Sequence, residues 1–409
     1  MKQSKKTPIA LMLLLAVASL IIPSVEGQQL EVRVATGTDL FPIPNIILPS
    51  QGFATVMLIL MLAMTALSVY LTFARNRRTP LIVVIAFGFG LVMTVLTWLF
   101  SGATMGITTL LAGSLALAVP LIFGSLSGAL SERVGIINIA IEGQLLAGAF
   151  TSALVASVTD SVLIGILAAM IAGSLVAAIL AVFSIKYLVD QIITGVVINV
   201  LIIGLTSFLF STLLADNISI LNQPPRFERI SIPLLSQIPI AGPVLFNQTL
   251  IVYLMYLAVA GVFLALFKTR WGLRLRSVGE YPKASDTVGI NVFRTRYMSV
   301  MIGGALAGLG GSFFTLGQVG AFGKEMTNGA GYIALAALIF GRWNPIYAAM
   351  AALLFGFALN LQYALQIVGS PLPSEFLLML PYVLTVVAVA GLVGKVRGPA
   401  AAGKPYVKS

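Results

Sequence analysis

The chain has 409 residues, of which 59% are hydrophobic and 9% charged; soluble domains carry about 25% charged residues, so the largest face of this one must meet lipid. Its 24 Lys and Arg outnumber 13 Asp and Glu, for a net charge of +11, but the positive residues lie in loops between apolar runs with no aromatic interleaving, which argues against nucleic-acid binding. The absence of cysteine and histidine excludes disulfides, thiolate chemistry, the commonest metal ligand and the commonest general base.

The apolar stretches are long and continuous and lack the two-residue alternation of a barrel strand. They predict an all-α polytopic transmembrane helix bundle of about 11–12 spans. Met-Lys-Gln-Ser-Lys-Lys opens the chain and an apolar run follows over about 8–23. That pattern fits a signal peptide, with a weak cleavage site at Val25 and Gly27, and equally an uncleaved first helix. Residues 28–50 hold Arg33, Asp39 and three prolines and form a non-membrane segment. Spans are expected at 52–74, 80–100, 108–130, 135–157, 162–184, 191–213, 250–268, 297–319, 328–345, 347–368 and 375–394. The stretch 131–150 is the most ambiguous, because Glu132, Arg133, Asn138 and Glu142 fit a broken or re-entrant helix as well as a plain span.

Three regions result: an N-terminal extension over 1–106, a transmembrane core over 107–396 and a tail over 397–409. With the N-terminus inside, the basic residues of 2–6, 75–78 and 268–296 fall inside, with Arg133, Lys186, Arg342, Lys395, Arg397, Lys404 and Lys408; only Arg33, Arg226, Arg229 and Lys324 fall outside. The positive-inside rule therefore predicts a cytoplasmic C-terminus. A long outer loop is expected over 215–247, and a basic cytoplasmic loop over 269–296.

No phosphate-binding G-x-x-x-x-G-K-[ST] motif is present, so ATP is not hydrolysed here by that route. The glycine-rich run 303–311 lacks the lysine and lies in an apolar span, where small residues serve close helix packing. Polar groups at membrane depth are costly and often functional. Glu142 is the acid deepest in an apolar region, and Asn138, four residues before it, can share its helix face. Thr194 and Asn199 follow in the run that Asp190 opens as an N-cap, and Gln318 and Asn360 lie further on. These amides and hydroxyls suit a neutral, hydroxyl-rich solute, and each suits equally the gluing of one helix to another. The Glu142 carboxylate likewise suits the capping of a broken helix. In the cytoplasmic loop, Pro282 fits a first helical turn and Gly289 a left-handed C-terminal cap. A short exposed helix there suits docking into a groove on another protein, or is an ordinary amphipathic surface helix.

Three stretches carry a family resemblance: Ser131-Glu-Arg-Val-Gly-Ile-Ile-Asn-Ile-Ala-Ile-Glu-Gly143, Arg276-Ser-Val-Gly-Glu-Tyr-Pro-Lys-Ala-Ser-Asp-Thr-Val-Gly-Ile-Asn291, and Gly331-Tyr-Ile-Ala-Leu-Ala-Ala-Leu-Ile-Phe-Gly-Arg-Trp-Asn-Pro345. From about 108 to 396 the chain resembles permease subunits of bacterial ABC importers for nucleosides and simple sugars, a group related to branched-chain amino-acid permeases. The resemblance implies that the 276–291 stretch is the coupling helix that receives ATPase motion, with Glu280, Ala284 and Gly289 at its acidic, alanine and glycine positions and Asp286 in the same segment. It implies two permease subunits, often non-identical, two cytoplasmic ATPase subunits that bind ATP and Mg, and an extracytoplasmic solute-binding protein. It further implies a bacterial plasma-membrane location, no cofactor in this chain and no enzymatic activity of its own. Candidates for the solute pathway are Asn138, Glu142, Thr194, Asn199, Gln318 and Asn360. The scarcity of charge at depth favours a nucleoside or sugar over a branched-chain amino acid. An ion-coupled transporter with Glu142 as proton site is the alternative from another class. The first three apolar runs exceed what the family core requires.

Overall fold

A backbone in lipid must satisfy its own hydrogen bonds, and an unbroken apolar run does so as a helix. The computed structural model describes residues 6–20, 22–25, 27–34, 41, 43–368, 375–376, 378–379 and 398–408. Its α-helices are α1 (Lys6–Ser19), α2 (Ser50–Val69), α3 (Leu81–Leu99), α4 (Ile107–Arg133), α5 (Ile141–Thr159), α6 (Val162–Ala181), α7 (Gln191–Leu209), α8 (Ile218–Leu221), α9 (Leu250–Lys268), α10 (Arg270–Glu280), α11 (Pro282–Thr287), α12 (Val292–Ser312), α13 (Ala330–Phe340) and α14 (Pro345–Val368). Wider π turns extend α2, α6, α7 and α12 to Ala74, Lys186, Leu214 and Val319. Among the described residues, nine helical segments are long and apolar enough to cross a membrane. The protein is a multi-pass membrane protein. The span expected at 375–394 falls almost wholly outside the described residues.

The chain divides into two compact units. The first comprises Met1–Leu111, Leu234–Pro243 and Leu361–Leu378. In it α1, α2 and α3 pack through Leu11, Ala18, Met61 and Phe87. The polar segment after α1 forms strands β1 (Gln29–Arg33) and β2 (Ile46–Pro49), and Thr104–Gly106 forms β3. β1 is central, antiparallel to β2 and parallel to β3. Its Glu31 carboxylate accepts from Asn45 at 2.6 Å and from Thr104 at 2.8 Å, which ties both neighbouring segments to it.

The second unit comprises Ala112–Pro233, Val244–Asn360 and Met379–Ser409. At its centre α12 runs against α5 and α6. Gly304 and Gly308 lie on the backbone of Gly173 and Ala169, and Gly311 on that of Leu145, so close that a Cβ would not fit. With little hydrophobic driving force between helices in lipid, such close approach supplies the packing energy. The 303–311 run is therefore a packing seam.

The helices depart from the expected spans at three places. The span expected at 135–157 starts late: residues 134–140 are not helical and α5 begins at Ile141. Gly135 takes the left-handed conformation at φ +92°, which turns the chain out of α4. Asn138 thus lies in the break, and it does not share a helix face with Glu142. The span expected at 328–345 is only the 11-residue α13, about 16 Å long at 1.5 Å per residue, against about 30 Å of hydrocarbon. Finally, α10 is a full helix where only the shorter α11 was expected. It buries Gly272, Leu275, Val278 and Gly279 on one face and leaves Arg274 exposed, an amphipathic pattern.

Candidate functional site

A short helix inside a membrane protein has the problem of its free N-terminal amides. For α13 the solution comes from α5. The Glu142 carboxylate accepts from Thr327 Oγ1 at 2.6 Å and from the amides of Gly329 and Gly331 at 2.9 and 2.7 Å. Negative charge at a helix N-terminus also opposes the positive end of the helix dipole. Gly331 sits against the main chain of Glu142, where no side chain fits.

The break before α5 is held by amides from neighbouring helices. Gln191 Oε1 accepts from the Ile137 amide at 2.7 Å. Asn199 of α7 accepts from the Gly143 amide at 2.8 Å and donates to the Ile139 carbonyl at 2.9 Å and to the Tyr332 hydroxyl at 3.1 Å. Asn138, fully buried, lies among Ser127, Ser131 and Gln144 and exchanges hydrogen bonds with the Gln144 amide at 3.2 Å in both directions. Buried polar backbone requires such partners.

At the other end of the same elements, the Glu132 carboxylate accepts from Trp343 Nε1, and Arg133 donates to the carbonyls of Trp343 and Arg342 at 3.1 and 3.3 Å. Arg342 and Trp343 both have positive φ, 54° and 55°, a strained conformation that these bonds help to hold. Gly279 of α10 packs directly on the Arg133 carbonyl, with no space for a Cβ. The stretches 131–143, 276–291 and 331–345 therefore meet at one place, although they are far apart in sequence.

From this junction α11 projects. Pro282 is its first residue, and Gly289 follows its end at φ +85°. Ser285 is buried, while Tyr281, Ala284 and Val288 are exposed. Beside it lies a cleft of 630 Å³ lined by Trp271, Arg274, Asn291 and Arg294 among others.

The family described as branched-chain amino acid transport system / permease component matches residues 110–389. The chain belongs to this family. Among its relatives, the guanosine ABC transporter permease protein NupQ of Bacillus subtilis is 41% identical over 317 residues, covering 74% of this chain and 97% of that protein. The nucleoside ABC transporter permease protein NupC of Lactococcus lactis is 39% identical over 313 residues, 73% of this chain and 97% of that protein. The guanosine ABC transporter permease protein NupP of Bacillus subtilis is 25% identical over 289 residues, 68% of this chain and 82% of that protein. No solved structure matches the chain. Its family is a membrane permease component, a transport subunit and not an enzyme.

Within this permease the residues singled out from sequence separate into groups. Glu142, Asn138 and Asn199 come together around the break before α5. Thr194, on the same helix as Asn199, donates to the Asp190 carbonyl of its own helix at 2.7 Å. Asn360 of α14 lies on Gly113 and donates to Ser114 at 3.4 Å, which ties α14 to α4. Gln318 is exposed in the turn after α12. Glu280 ends α10, Ala284 and Asp286 lie in α11, and Gly289 caps it. Gln144 and Gln191 stand out in the sequence as polar residues beside Glu142 and at a helix start, but their partners do not, and Trp343 carries no signal of its bond to Glu132. A glutamine just inside a helix start carries no local signal for a partner 54 residues away.

Proposed function

We propose that this permease is the membrane-spanning subunit of an ATP-driven importer in a bacterial plasma membrane, with α10, α11 and the C-terminus on the cytoplasmic side. Its solute is a nucleoside, with a simple sugar as the second choice. Two ATPase subunits, which hold ATP and Mg, dock on the exposed face of α11 around Glu280, Ala284, Asp286 and Gly289. A solute-binding protein delivers from the other side. The pathway is lined with a second, related permease subunit; two guanosine permease proteins, NupQ and NupP, occur together in Bacillus subtilis, which supports a non-identical pair. The observation that carries this reading is the junction at Gly279 and Arg133, where α10, the helix just before α11 in the chain, packs on the end of α4 ahead of the break and Arg133 bonds the turn after α13. Motion delivered to α11 reaches the membrane interior through packed elements that are bistable rather than soft.

Alternating access requires that solute and nucleotide favour different conformations. The ion-coupled reading is weaker, because the Glu142 carboxylate is engaged by three donors. Purification with co-expressed neighbouring gene products tests the proposal. An ATPase that co-purifies, and is lost when 280–289 is altered, supports it. Uptake that persists with no ATPase present overturns it. ATPase stimulation screened over nucleosides, sugars and amino acids then identifies the solute.

A further inference from the structure

We propose that the cleft between α10 and the start of α12 binds an anionic phospholipid of the cytoplasmic leaflet, with Arg274 and Arg294 on the headgroup phosphate. This rests on the orientation proposed above. The cleft measures 630 Å³, within the roughly 300–1,000 Å³ of small-molecule sites. Its chemistry is one-sided. Arg274, Arg294, Trp271 and Asn291 line it, and among the described residues no acidic side chain does. Asn291 accepts from the Arg294 main-chain amide through Oδ1 at 2.9 Å, which leaves its Nδ2 to donate. The guanidinium groups, the Trp271 indole and the Asn291 Nδ2 have no hydrogen-bond or ion-pair partner among the described residues. A cleft that offers donors and positive charge, with no carboxylate, is complementary to an anion.

The place of the cleft in the fold selects a lipid over a soluble anion. Two spans end at it. The span of α9 closes at Lys268, just before Trp271 and Arg274, and Arg294 lies in the first turn of the span Val292–Val319. Both arginines therefore sit at headgroup level, where tryptophan is also enriched. From Arg294, α12 carries Met298, Met301 and Ile302, all exposed. Their spacing of i+4, i+7 and i+8 puts them on the face of Arg294. At 1.5 Å per residue they lie about 6–12 Å deeper than Arg294. Met298 itself lines the cleft. The cation thus stands above an apolar stripe, in the order in which a phospholipid presents its phosphate and its acyl chain. A free phosphate would use the arginines and leave the stripe bare. Residues 288–291, which join α11 to α12, form one wall of the cleft, so the lipid lies against the segment that follows the coupling helix.

The test titrates the complete transporter, purified in neutral detergent, with phosphatidylglycerol, phosphatidylcholine and soluble glycerol phosphate, and reads binding by native mass spectrometry. The wild type should retain phosphatidylglycerol in preference to phosphatidylcholine. Arg274→Gln and Arg294→Gln should each weaken phosphatidylglycerol binding about fivefold, the factor for one basic side chain at an anionic leaflet, and leave phosphatidylcholine unchanged. Arg274→Lys with Arg294→Lys keeps both charges and should keep most of the preference. Arg75→Gln with Arg77→Gln, exposed basic residues of the first unit, is the control and should change nothing. An equal loss in the control means diffuse surface attraction and overturns the proposal. An unchanged preference in Arg274→Gln with Arg294→Gln does the same, as does glycerol phosphate that binds as tightly as the lipid. Loss of the ATPase subunits from the glutamine variants, with the lipid preference intact, would assign the cleft to a protein partner and also overturns it. The orientation has its own readout, because the chain has no cysteine. Lys283→Cys, at an exposed position of α11, should react with a membrane-impermeant maleimide from the cytoplasmic side alone. Reaction from the opposite side overturns the importer orientation, while the lipid titrations still decide the site.

Discussion

Glu142→Gln separates a structural carboxylate from a transporting one. The variant keeps the side-chain volume and one carbonyl oxygen. It replaces the other oxygen with an amide that donates, opposite Thr327, Gly329 and Gly331, which also donate. At least one of three bonds, at 2.6, 2.9 and 2.7 Å, must be lost. A hydrogen bond to a charged group is worth about 1.5–3 kcal/mol, and a buried donor left alone costs about 1–3 kcal/mol. Removal of the charge at the α13 N-terminus adds about 0.3–1 kcal/mol. These contributions overlap, and a net loss of roughly 3 kcal/mol follows, on the order of a hundredfold in the local equilibrium. Thermal unfolding in lipid nanodiscs should show a midpoint several degrees lower, and hydrogen exchange should rise at Gly329 and Gly331. Thr327→Val removes one bond of the three and should show a smaller effect of the same kind. Unchanged melting and exchange in Glu142→Gln, with uptake alone abolished, would refute the capping role and make Glu142 a proton or solute site.

Four further substitutions test the packing and the helix ends. Gly308→Leu should prevent the approach of α12 to α6, because even a Cβ meets the Ala169 backbone; little folded protein should reach the membrane. Gly204→Ala, where nothing lies within 4 Å, is its control and should accumulate at wild-type level or above, as helix propensity favours alanine by up to about 1 kcal/mol. Gly289→Ala has open space but φ +85°, so it should cost about 1–2 kcal/mol of backbone strain; weaker ATPase binding in a pull-down measures it, and unchanged binding would mean that the cap of α11 does not matter. Asp190→Ala removes the acceptor of the Ile192 and Ile193 amides, at 2.8 and 3.0 Å; a loss of about 1 kcal/mol is expected and appears as faster exchange in the first turn of α7.

Much of the fold is legible in the sequence because its signals are local. The length of an apolar run sets a span, and α2, α3, α6, α7, α9 and α14 fall within a few residues of where composition puts them. Asp190 precedes α7 and caps it, and Gly289 ends α11, because those roles need only neighbouring atoms. The resemblance to permeases rests on contiguous stretches and is met by the family match. The break at 134–140 is half legible: its polar residues suggest interruption, but not that Asn138 leaves the Glu142 helix face.

What only the tertiary structure decided is which distant groups satisfy one another. The amide of Gly331 finds its acceptor 189 positions away in Glu142, and that partner allows an apolar run to end as an 11-residue helix instead of a span. Glu132 finds Trp343, Gly279 finds the Arg133 carbonyl, and the tail finds both Gly279 and Gly135. Apolar length and capping residues act over a few residues and are written in order along the chain. Hydrogen bonds between buried groups act over about 3 Å at any separation in sequence, so they exist only once the helices have packed.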